Sequence, residues 1–171
     1  MQTQWDALRL YACDTHTERV LAVIEERGFS FKVMLGAYIA AEVSNPNCPW
    51  GGEYPASELS ENKRQNQREI ERAISLANRY PEIVDVGSAA NEATVDWTYH
   101  LVSPESVVEY VALLQQHIPQ PVTFCENYVP WLGKLDALAA QVDLISIHTY
   151  PVWEYKTIDE ALAYTKENYT E

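Results

Sequence analysis

The chain has 171 residues, enough for one sizeable core, and its 47% apolar content is that of a globular protein. One domain over residues 1–171 is expected. A formal net charge of -13 repels phosphate backbones, so nucleic acid is not an expected partner. A neutral polysaccharide meets no such penalty. No apolar run approaches the ~20 residues of a membrane span, so no membrane partner is expected either.

The N-terminus, Met-Gln-Thr-Gln-Trp-Asp, has neither the basic start nor the apolar core of a secretion signal, and the chain as given reads as cytoplasmic. Cys13, Cys48 and Cys125 are odd in number and lack metal-type spacing, so free, buried thiols are expected.

In chain order, Ala7–Ala12 is a short apolar run with Arg9 inside it, a predicted strand. Asp14 and His16 follow in a loop. Thr17–Arg27 reads as a helix because Val20, Leu21 and Ile24 share a face and Gly28 stops it. Lys32–Tyr38 is the second strand. Residues 40–55 form a long loop rich in Pro, Gly and Asn, with Trp50 within it. Ser57–Arg79 is a long helix with Ile70, Ala73, Ile74 and Ala77 as its apolar stripe.

The third strand, Ile83–Ala89, leads into Asn91-Glu92. Ser103-Pro104-Glu105 is an N-cap with Pro in the first turn, and the helix it opens runs to Ile118. Pro121–Cys125 is the fourth strand, Lys134–Ala140 a short helix, and Asp143–His148 the fifth strand. Thr157–Glu160 is a capping box that opens a last helix toward Glu171. Five strands alternating with helices predict a parallel α/β sheet with helices outside it.

In such folds reacting groups gather at the C-terminal ends of the strands. The first strand is followed by Tyr11 and Asp14, the second by Tyr38 and the loop with Trp50. The third gives Asn91, Glu92 and Trp97. The fourth gives Glu126, Asn127, Tyr128 and Trp131, and the fifth His148, Tyr150 and Trp153. Four of the five Trp thus lie in loops after strands. Sugar rings have apolar faces and hydroxyl edges, and flat aromatics beside carboxylates and amides suit them. Any one of these residues has a plainer explanation: Trp97 or Trp153 as a loop plug, His148 as a hydrogen-bonding neighbour. No HxxxH or HxH pair supports a metal, and no cofactor is expected.

The runs RLYACD (9–14), KVMLGAYIAAEVSN (32–45), ANRYPEIV (77–84), NEATVDW (91–97) and HTYPVWEYKTIDEALAYT (148–165) resemble bacterial members of glycoside hydrolase family 17. These β-1,3-glucanase-like proteins fold as (β/α)8 barrels. The resemblance implies that Glu92 is the general acid/base, with Asn91 its neighbour. It also places Tyr11 and Tyr150 near the sugar site. Against the family barrel the chain matches strands two to six; the first strand, the segment with the family's nucleophilic Glu, and the eighth strand are absent. Ser88-Ala89-Ala90 stands where the family usually has Asn-Val-Gly. An incomplete barrel of about five parallel strands is therefore expected.

A glycosidase uses two carboxyls, ~5–5.5 Å apart to retain configuration or ~6.5–9.5 Å apart to invert it. Glu126 is the expected partner of Glu92, ahead of Asp14. The expected substrate-binding set is Tyr11, Asp14, Tyr38, Asn91, Trp97, Asn127, Trp131, His148, Tyr150 and Trp153. Glu92 is expected to have a raised pKa, as a general acid at neutral pH needs. The expected activity is hydrolysis of β-linked glucosides or glucans. The alternative is a catalytically incomplete remnant that self-associates and binds carbohydrate. Open edges on the first and fifth strands predict a homodimer that completes the barrel.

Overall fold

The computed structural model describes residues 4–170. Met1–Thr3, which begin the N-terminal segment read above, and Glu171, the expected end of the last helix, lie outside the described residues. The elements are β1 (Ala7–Leu10), α1 (Thr15–Arg27), β2 (Lys32–Gly36), α2 (Ala56–Arg79), β3 (Val84–Asn91) and α3 (Pro104–His117). They continue with β4 (Val122–Asn127), α4 (Tyr128–Trp131), α5 (Asp136–Ala139), β5 (Ser146–His148) and α6 (Ile158–Thr170). The strands lie side by side in chain order, and each neighbouring pair is parallel. The sheet curls into half a barrel with helices on its outer side, as the sequence predicts.

Local chemistry sets the helix starts. Asp14 caps α1 by accepting from the Thr17 N–H at 3.0 Å, and Ser103 caps α3 by accepting from Ser106. Glu160 reaches back to the Thr157 N–H at 2.9 Å, the expected capping box. Two departures occur around β4 and β5. A turn of helix, α4, starts directly after β4 because the Asn127 side chain accepts from the Val129 N–H. β5 begins at Ser146 rather than Asp143, whose carboxylate is engaged by the first N–H of β4 at 2.8 Å.

The core lies between the sheet and helices α1–α3. Leu21, Ile24, Ile70, Ala73, Ala77, Val107, Val111 and Leu114 pack against Val33, Leu35, Val84, Val122 and Phe124, all buried. Side chains alternate along a strand, so the intervening residues face the barrel interior. Arg9, Met34, Cys125 and His148 meet there: the Cys125 thiol lies 3.7 Å from the Met34 sulfur, and Arg9 on β1 reaches His148 on β5. That contact between the two outermost strands measures how far the sheet has curled. Gly36 is required where β1 and β2 approach, since a Cβ there would lie 2.6 Å from the Leu10 carbonyl oxygen.

Candidate active site

The centre of the site is the end of β3. Register pairs Asn91 with Cys125, so Asn91 shares the interior side, and the pairing is irregular just before it. Glu92 then adopts φ 45°, the left-handed region, which costs a non-glycine residue of order 1–3 kcal/mol unless its surroundings hold it. Its N–H donates to the Cys125 carbonyl at 2.9 Å, and its own carbonyl oxygen lies 3.2 Å from His100 Nε2.

The Glu92 carboxylate ends a relay of side chains. Arg9 Nη1 is 2.7 Å from His148 Nε2, and His148 Nδ1 is 2.7 Å from Glu92 Oε1. A guanidinium can only donate, so His148 Nε2 accepts and its proton sits on Nδ1. That proton is donated to Glu92, a bond that favours the carboxylate form. Arg9 also donates to Asn91 Oδ1 and stacks over the Tyr11 ring, 4.5 Å from its centroid. The hydrogen bond from His148 holds the Glu92 carboxyl below the usual carboxylate range, against the opposing effect of burial. This corrects the expectation of a raised pKa: the strand ends bring donors to Glu92 as well as apolar surface, and the donors win.

Two cavities meet at Glu92. The first, of about 390 Å³, is lined by Tyr11, Tyr38, Trp50, Asn91, Trp97, Tyr99 and His100 besides Glu92. The second, of about 570 Å³, is lined by Trp50, Trp97, Asn127, Tyr150, Trp153 and Glu154, again with Glu92. Trp50, Glu92 and Trp97 belong to both. The structure thus gathers Tyr11, Tyr38, Asn91, Glu92, Trp97, Tyr150 and Trp153 around one cleft, with His148 behind Glu92. Burial and the neighbouring Glu92 charge raise the Tyr150 pKa, so its hydroxyl keeps its proton.

Three expected site residues serve the fold instead. Glu126 is fully buried. It alternates with the interior-facing Cys125, so it points out of the barrel interior. There Oε2 accepts from the Thr94 N–H (2.9 Å) and hydroxyl (2.7 Å), and Oε1 from the Asn127 N–H (2.7 Å). Burial, the larger effect, raises its pKa against these bonds. The expected Glu92–Glu126 pair facing one substrate is not what the strand alternation builds. Asp14 is taken by the α1 cap and lines neither cavity. Trp131 packs its ring on Phe124 of the core, centroids 6.0 Å apart. Asn127 has a double character: its side chain caps α4 while it touches the second cavity.

Arg9, Tyr99, His100 and Glu154 were not predicted as site residues, and Trp50 only as part of a loop. Arg9 carried a signal: a charged residue inside an apolar strand run, two residues before Tyr11 and thus on the same face. Tyr99 and His100 lie eight residues beyond the Asn-Glu pair, where local pattern carries no information on what folds back.

The cleft wall is fixed by buried amides and a carboxylate. Asn45 donates to the Asp96 (2.7 Å) and Thr98 (2.8 Å) carbonyls, and Cys48 to the Trp97 carbonyl (3.1 Å). These bonds tie the Trp50 loop to the Trp97 loop. On α2, Asn62, Asn66 and Glu69 face the chain leaving β1 and β2. Glu69 Oε1 accepts from the Cys13 (2.6 Å) and Tyr38 (3.1 Å) N–H groups, and Asn66 both accepts from and donates to Ala40. The backbone at Tyr38 and Ala40 is thus hydrogen-bonded to side chains of a helix, while Ala37 still donates to Ser88 of β3.

A curled half-barrel of five parallel strands with flanking helices matches the fold of TIM-barrel glycoside hydrolases among solved structures. An endo-laminarinase from Formosa Hel1_33_131 is 26% identical; 90% of this chain matches 43% of that one at a TM-score of 0.70. A glycoside hydrolase family 17 β-1,3-glucanosyltransferase from Rhizomucor miehei matches 96% of this chain with 53% of its own, at 16% identity and a TM-score of 0.65. A GH113 β-mannanase from Alicyclobacillus acidocaldarius shares the fold at 17% identity and a TM-score of 0.55, over 87% of this chain and 46% of its own. The chain therefore spans about half the length of these structures. No family model matches the sequence, and no curated protein matches it.

Proposed function

We propose that the chain forms a glycosidase-type site for β-linked glucosides or glucans, of the glycoside hydrolase family 17 kind, with Glu92 as its acid/base. The observation that carries this reading is the position of Glu92 at the junction of two aromatic-lined cavities. A sugar on each side of the carboxylate would present the bridging oxygen to it. Trp50 and Trp97 line both cavities and supply the flat apolar surface that sugar rings pack on. As a carboxylate in the free protein, Glu92 is ready to act as a base toward water; as an acid it must first take up a proton, which acid pH favours.

A second carboxylate is needed for hydrolysis. With Glu126 engaged by the fold, Glu154 is the other carboxylate lining the cleft among the described residues. We assign it the second role in a single chain. A second copy covering the open edges of β1 and β5 is the other source of that group. Release of reducing sugar from laminarin, or of the phenol from an aryl β-glucoside, tests the reading. Glu92→Gln is expected to lower kcat by about 10²–10⁴, and Glu154→Gln to lower it less. Turnover unchanged in Glu92→Gln would refute the assignment. Recovery of activity on mixing Glu92→Gln with Glu154→Gln chains would point to a shared site in a dimer.

A further inference from the structure

Glu92 needs support for a backbone conformation that side chains rarely adopt. Half of that support, the Cys125 carbonyl, comes from the sheet. The other half is the side chain of His100. Its imidazole is stacked on Tyr99, at 4.9 Å between centroids and 20° between planes, and meets the Tyr38 ring at 5.6 Å with a 47° tilt. Tyr38 and Tyr99 are joined through their hydroxyls at 3.0 Å, and the Tyr54 hydroxyl donates to the Tyr99 carbonyl, so both rings that touch the imidazole are themselves fixed.

The 3.2 Å contact from His100 Nε2 ends on a carbonyl oxygen, which can only accept. Nε2 therefore carries the proton and Nδ1 is bare. Nδ1 is buried with no hydrogen-bond partner, which a neutral ring tolerates better than an imidazolium. Burial also lowers the His100 pKa, in the same direction.

We propose that His100 is a positioning residue for Glu92: its Nε2–H donates to the Glu92 carbonyl, holds the left-handed backbone, and so aims the carboxylate at His148 and the cleft. The two peptide groups flanking the Glu92 Cα are then both fixed, one by Cys125 and one by His100. The direction of the Cα–Cβ bond follows. A reacting group misplaced by about 1 Å can lose roughly 10²-fold in rate. The catalytic part of this inference rests on the proposed glycosidase reading; the geometric part does not.

The test uses two variants of the full chain. His100→Phe keeps a flat ring against Tyr99 and Tyr38 and removes the donor. His100→Gln restores an N–H at about the reach of Nε2. ¹⁵N NMR of the wild type is expected to show His100 as the Nε2–H tautomer at neutral pH; the Nδ1–H tautomer would overturn the inference without any activity measurement. The Glu92 carboxyl titration, followed by ¹³C NMR, is expected to move in His100→Phe and to return in His100→Gln. In laminarin hydrolysis His100→Phe should lose roughly 10- to 100-fold in kcat with KM little changed, and His100→Gln should recover most of it. Equal kcat in wild type and His100→Phe, or no recovery in His100→Gln, would refute positioning through this bond. Should the wild type not hydrolyse glucan, the glycosidase reading fails, and the tautomer and the Glu92 titration still decide the role of His100. Should His100→Phe not fold, the wild-type tautomer and the Gln variant decide it.

Discussion

The two walls of the cleft are built differently. The wall from the loops after β2 and β3 is tied into the molecule by Asn45, Cys48, Asn66 and Glu69, each bonding backbone groups of a loop. The wall from the segment after β5 has few such bonds. Tyr150, Trp153 and Tyr155 are 44%, 80% and 96% exposed, and so are Ile158 and Leu162 at 87% and 66%. Helix α6 is held chiefly by the Tyr128–Tyr164 hydroxyl contact at 2.8 Å and the Asn168 bond to Thr149 at 2.8 Å. Buried, saturated polar groups specify one loop geometry because leaving any of them unpaired is costly. The exposed wall has no comparable constraint, and its contacts are open to rearrangement when something packs against it.

Substitutions on the two walls should therefore separate stability from binding. The largest effect is expected from the fixed wall. Asn45→Ala strands the buried Thr98 carbonyl and the part-buried Asp96 carbonyl and should cost about 2–3 kcal/mol. Gly52→Ala should cost of order 1–3 kcal/mol, since Gly52 has φ 110° and a Cβ there would lie 2.9 Å from the Asn45 carbonyl oxygen. Thermal melts of both variants check this; unchanged midpoints would remove the distinction between the walls.

Between the walls, His148→Phe should shift the pH dependence. The His148 bond favours the ionised form of Glu92, so its loss raises the Glu92 pKa. An acid-catalysed kcat/KM falls as pH rises above that pKa, so the falling limb should move to higher pH. The same bond contributes stability that is present above the unfolded carboxyl pKa and lost as pH falls through the lower folded one. The variant should accordingly lose less stability on acidification. A limb that moves to lower pH would contradict the relay.

The exposed wall should give the smallest stability effect. Trp153→Ala is expected to leave the melting midpoint within a degree or two, and to raise KM for a glucan severalfold if Trp153 is a sugar platform. A destabilised Trp153→Ala would show that this wall is fixed after all. The same wall and the unpaired outer sides of β1 and β5 are where a second copy would pack. Light scattering after size exclusion distinguishes a dimer from a 19.5 kDa monomer.

Much of this was legible in the residues alone. Strand–helix alternation, the caps at Ser103 and Thr157, and the gathering of aromatics at strand ends all depend on local spacing, which a sequence displays directly. So did the place of Glu92 at the end of a buried strand. Glu126 shows where local reading stops. Glu92 follows β3 and Glu126 lies near the end of β4, yet the pleat and register of β4 turn Glu126 away from the interior and bury it against Thr94. The side to which a strand-end residue points depends on how neighbouring strands pair, and pairing lies between segments far apart in sequence. The ionisation of Glu92 is a tertiary property for the same reason. Arg9, 83 residues earlier, and His148, 56 residues later, reach it only because the sheet curls. His100 is nearer in sequence, but its role comes from a loop that folds back on Glu92 and from Tyr38, contributed by the segment after β2. Sequence determined which groups are available at the strand ends; curvature, register and loop closure decided which of them meet, and with what charge.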